Sequence, residues 1–65
     1  MAYLERLLQR KQDLKLEYRQ LIEQAYNLRQ TDHALSDISE FKATMVLNEI
    51  NKLKFIIRDT SLSPN

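Results

Sequence analysis

Three side chains within five residues, His33, Ser36 and Asp37, are of the types that build a nucleophilic hydrolase. Such a triad needs an oxyanion hole and walls that exclude water. This set falls in one short polar segment with neither, so it reads as turn chemistry. Asp32, His33 and Asp37 are a second candidate, as metal ligands. Two carboxylates and one imidazole on a short polar stretch make a weak ligand set. Asp13 and Glu17, one helical turn apart beside Arg10, read as surface charges rather than a general acid and base. The chain has no glycine and no cysteine. A glycine-rich phosphate loop, a thiol nucleophile, a disulfide and a cysteine metal site are therefore excluded. The lone histidine cannot make a zinc site. The expectation is a non-enzyme with no catalytic residue, cofactor, metal or small-molecule substrate.

The elements that position these groups follow from composition. The 65 residues suffice for one small domain, which buries little surface and needs a staple. With disulfides and metals set aside, a partner chain is the staple left. Hairpin turns of small sheet proteins use glycine, and the one proline is Pro64. Helix formers dominate instead. No apolar run approaches a membrane span, and Met1 to Arg6 lack a secretory pattern. The expectation is a soluble cytoplasmic protein.

Leu4, Leu7, Lys11, Leu14, Tyr18, Leu21, Ala25 and Leu28 alternate in steps of three and four, a heptad seam on a helix over about residues 2–30. Leu8, Ile22 and Tyr26 widen its stripe. Lys11 lies mid-seam. It either fixes register as a polar seam residue or packs its stem and extends its ammonium to the edge, the reading favoured here. Residues 31–36 carry turn-forming side chains. Asp37-Ile38-Ser39-Glu40 has capping-box spacing, with Ser36 as a competing N-cap. A second helix is expected over about 37–58, with Ala43, Val46, Ile50, Leu53 and Ile57 as its seam. One continuous helix of about 55 residues is the alternative. Ile38, Phe41, Met45 and Ile56 form another apolar set on nearly the opposite side, and Phe55 lies between the two sets. Residues 60–65 read as a flexible tail beyond a 1–59 domain.

The expected fold is therefore all-α, an antiparallel two-helix hairpin that dimerises into a four-helix bundle. Leu8, Ile22, Tyr26, Ile38, Phe41, Met45 and Ile56 are the candidate dimer or partner interface. Tyr3 and Tyr26 flank the seam as edge or interface aromatics. Formal net charge is +1, yet it is unevenly placed. The open end, residues 1–19 and 50–65, has eight basic and four acidic residues, net +4, and the loop end two against five, net −3. Arg6, Arg10, Lys11, Lys15, Arg19, Lys52 and Arg58 are the candidate contacts for a polyanion or an acidic partner. The functional expectation is a homodimeric adaptor, regulator or chaperone that binds another protein, without a membrane partner. The alternatives are a dimeric RNA- or DNA-binding regulator using the basic end, and a structural subunit of a larger complex.

Overall fold

A computed structural model of the chain describes residues 2–62. It contains two helices, α1 (Ala2–Leu28) and α2 (His33–Leu62), packed along each other, and no strand among the described residues. The shape is a rod-like ribbon, with Cα extents of 52 × 15 × 10 Å. The chain turns back between Leu28 and His33, so the single 55-residue helix is not formed. A connection this short makes the helices antiparallel, and the contacts Ser36 to Ala25 and Glu49 to Arg10 confirm the direction.

The α1 seam is as the heptad spacing requires. Leu4, Leu7, Lys11, Leu14, Tyr18, Leu21, Ala25 and Leu28 are all buried or half-buried, and every α1 residue between them is exposed. On α2, Ala43, Val46, Ile50, Leu53 and Ile57 form the facing seam. Leu14, Ala25, Ala43 and Ile50 are its most enclosed apolar side chains. The α2 seam is longer than apolar residues reveal. It continues in the same steps through Ser39 and Ser36, both buried, and through half-buried Thr60 at the other end.

This changes where the second helix starts. It begins at His33, one turn before the expected 37, and runs four residues beyond the expected end at Arg58. Residues 60–62 are helical, and the rest of the expected tail, 63–65, lies outside the described residues. Asp32 is the N-cap: its Oδ1 accepts the Leu35 N–H at 3.1 Å and its carbonyl accepts the Ser36 N–H at 3.0 Å. Neither Ser36 nor Asp37 has that role, because the seam requires helix at 36 and 39. The Ser36 hydroxyl instead donates to the Ala25 carbonyl at 2.8 Å. That carbonyl belongs to the last turn of α1, where intrahelical donors run out. Its donor four residues on, the Arg29 N–H, goes to Tyr26 at 3.4 Å, and the Leu28 carbonyl takes the Thr31 and Asp32 N–H groups at 3.0 and 2.7 Å. One serine of α2 thus helps to cap the C-terminus of α1.

Candidate interaction surfaces

The heptad frame sorts every exposed residue by side. In an antiparallel pair, the positions just outside the seam on one helix meet their counterparts on the other. Two ion pairs mark the two broad sides of the ribbon. Arg10 Nη2 and Glu49 Oε2 are 3.6 Å apart on one, and Arg29 Nη2 and Glu40 Oε1 are 3.3 Å apart on the other. All four side chains are about half exposed or more, 49% at the least, so each pair contributes little to stability. Their value here is as markers of geometry.

The Arg10–Glu49 side carries a shallow groove, lined at its rim by Arg10, Glu17, Lys42, Met45, Glu49 and Lys52, with Leu14, Leu21 and Val46 as its floor. Ile56 lies further along the same side, against Arg10 and Lys52. Seven-residue spacing from these places Leu35, Ile38 and Asp59 of α2, and Tyr3, Arg6 and Asp13 of α1, on this side too. The Arg29–Glu40 side holds Leu8, Lys15 and Ile22, at seven-residue steps before Arg29, and Leu47 and Lys54, at such steps after Glu40. Arg19, Tyr26, Asp37 and Arg58 flank that side. Phe41 and Phe55, 66% and 68% exposed, stand on the outer edge of α2.

The seven candidate interface residues are all exposed, but they do not form one surface. Leu8, Ile22 and Tyr26 are on the Arg29–Glu40 side, Ile38, Met45 and Ile56 on the Arg10–Glu49 side, and Phe41 at the edge. Two hairpins meeting through one side cannot cover both sets. Leu16, Leu35 and Leu47 are further exposed apolar residues that the periodicity reading passed over. Their heptad positions were the available signal.

The basic residues divide as well. The Arg10–Glu49 side has Arg6, Arg10, Lys42 and Lys52 against Asp13, Glu17, Glu49 and Asp59, a balance of four and four. The Arg29–Glu40 side has Lys15, Arg19, Arg29, Lys54 and Arg58 against Glu5, Asp37 and Glu40, net +2. Lys11 is half-buried in the seam, with its position shared by neither side. The charge polarity along the hairpin is therefore concentrated on one side.

Compared with known proteins, the chain matches no family, and neither a curated protein nor a solved structure is significantly similar to it. The residues that raised the question of chemistry are not brought together as a site. Ser36 is buried with its hydroxyl committed to Ala25, while His33 and Asp37 are exposed. Asp32 is occupied as a cap, and no cluster of three or more metal-ligating side chains occurs among the described residues. Asp13 accepts from Gln9 Nε2 at 3.0 Å, an ordinary one-turn pair. No helix among the described residues is long and apolar enough to cross a membrane.

Proposed function

We propose that this chain is a non-catalytic interaction module. It acts as a homodimeric helical hairpin, forming a four-helix bundle, that binds another protein in the cytoplasm and changes its activity, folding or assembly. One observation carries the reading. The seam between the helices is complete, yet Leu8, Ile22, Ile38, Met45 and Ile56 stay exposed on two opposite sides, with Phe41 and Phe55 between them. Scattered single apolar residues need no explanation, but runs of this kind mark interaction sites. The hairpin also encloses few apolar side chains of its own, with Leu14, Ala25, Ala43 and Ile50 the buried ones among the described residues. Two sides call for two occupants. A second copy suits the charge-balanced side and a different protein the basic side.

Sedimentation velocity at micromolar concentration tests the homodimer, and a compact, folded monomer rejects it. The second occupant is tested by affinity capture from the native host, comparing the wild-type chain with an Ile22→Glu, Lys15→Glu, Arg19→Glu variant. A protein retained by the first and lost by the second, with nuclease treatment making no difference, is the expected outcome. Retention that nuclease removes would replace this reading with nucleic-acid binding.

A further inference from the structure

The charge-balanced side has an order as well as a balance. On α2 its residues run Leu35, Ile38, Lys42, Met45, Glu49, Lys52, Ile56 and Asp59, in the same steps of three and four as the intramolecular seam. The signs along it are plus at 42, minus at 49, plus at 52 and minus at 59. Reversing the strip about a point between residues 50 and 51 puts Lys42 on Asp59, Glu49 on Lys52 and Met45 on Ile56. Every cation meets an anion and Met45 meets Ile56, while Leu35 and Ile38, at the loop end, lie outside the overlap of the two helices. On α1 the neighbouring strip carries Arg6, Arg10, Asp13 and Glu17. Reversal between residues 11 and 12 puts Arg6 on Glu17 and Arg10 on Asp13.

The two centres of reversal are at the same height on the hairpin. The Ser36–Ala25 hydrogen bond sets those residues level, and two heptads toward the open end make Ile50 level with Lys11. The centres then differ by one residue, a rise of about 1.5 Å. One twofold axis serves both helices.

We propose that this side is the binding site for a second copy of the same chain. The copies meet face to face and antiparallel about a twofold axis that crosses the ribbon at Lys11 and Ile50, stacking α2 on α2 and α1 on α1. This refines the homodimer proposed above and rests on it. A twofold contact uses the same patch on both chains, so the patch must be self-complementary, and this one is. The parallel arrangement of α2 on α2 would set Lys42, Glu49, Lys52 and Asp59 each against its own copy, which like-charge repulsion disfavours. An axis running along the ribbon would stack α2 on α1, laying Met45 over Asp13 and Glu17 instead of against Ile56. The antiparallel stack alone puts Met45 against Ile56, at two equivalent places, with Phe41 and Phe55 at the rim.

Lys42 and Asp59 give a decisive test, because neither has an ion pair among the described residues. They are 17 positions apart on one helix, roughly 26 Å, too far to compensate each other within a chain. Lys42→Asp alone converts two attractive pairs of the dimer into repulsive ones and is expected to weaken dimerisation on the order of tenfold. Adding Asp59→Lys is expected to restore the wild-type dissociation constant, read by sedimentation equilibrium at low salt. As a second measurement, Met45→Cys chains mixed with Ile56→Cys chains should join efficiently through a short dithiol-reactive cross-linker, each alone poorly. A wild-type dimer in which the double reversal fails to rescue, or in which Met45→Cys links to itself, overturns this arrangement and leaves the homodimer standing. A folded wild-type monomer overturns both.

Discussion

Asp32 and Asp37 are the same residue type, five positions apart at the start of α2, but they stand in different relations to the backbone. Asp32 lies just outside the helix and takes the Leu35 N–H at 3.1 Å, satisfying one of the first-turn donors that have no helical partner. Asp37 is already inside, exposed and in the second turn, past the first turn in which the helix dipole acts most strongly. Asp32→Ala is therefore expected to cost about 1 kcal/mol, and Asp37→Ala less than roughly half of that. Urea denaturation of both at one fixed protein concentration gives the comparison, since the proposed self-association would make stability depend on concentration. An equal or larger loss at Asp37 would mean that the helix starts there in solution. Ser36 is the third residue of this group. With the Arg29 N–H turned to Tyr26, the Ser36 hydroxyl is what serves the Ala25 carbonyl, and Ser36→Ala is expected to cost about 1 kcal/mol in the same measurement.

The two helices pack through a seam of uneven calibre. Near the loop its α2 side is Ser36, Ser39 and Ala43, and Ala25 lies opposite between half-buried Leu21 and Leu28, close enough for a serine hydroxyl to reach the opposite backbone. Toward the open end it is Leu, Ile and Val around half-buried Lys11. Enlarging the narrow end forces the backbones apart, so Ala43→Leu is expected to destabilise by about 1–3 kcal/mol. At the wide end the opposite holds. Lys11→Leu replaces a stem whose ammonium must return to water, and is expected to stabilise by on the order of 1 kcal/mol. A single dimeric species should persist in sedimentation. If Lys11→Leu instead yields mixed oligomers, the lysine is the register-fixing device that polar seam residues can be. The α1 seam and the apolar part of the α2 seam were legible in the sequence, because Leu, Ile and Val at three-four spacing admit one helical face. The turn was misplaced because Ser36 and Ser39 look like capping residues when polarity is read first, whereas stepping back from Ala43 by four and then three lands on both. Which exposed residues share a side depended on how the helices pair, and the Arg10–Glu49 and Arg29–Glu40 contacts settled that.

At the scale of the molecule, the ribbon presents two sides of different electrostatic character, and each sets its own dependence on salt. On the Arg29–Glu40 side, Lys15, Arg19, Lys54 and Arg58 gather toward the open end with Glu5 among them, while Asp37 and Glu40 lie toward the loop. In the proposed face-to-face dimer these two basic regions would lie on opposite outer faces of the bundle, at nearly the same height, because its twofold axis passes through the open half. A partner lying on one face cannot reach the other, so a saturated complex is expected to hold one partner per chain, two per dimer, a stoichiometry that light scattering reads directly. Lys15→Glu with Arg19→Glu should remove the partner and leave the dimer dissociation constant within about twofold of wild type, since surface changes away from a contact act weakly. Loss of the dimer in that variant would show that the two sides are not independent. Salt separates the classes of partner. A nucleic acid held by this side would release counterions, and its affinity would fall steeply and log-linearly with ionic strength. A protein seated on Leu8, Ile22 and Tyr26 buries apolar surface, which salt does not screen, and is expected to show a shallow slope between 50 and 200 mM salt.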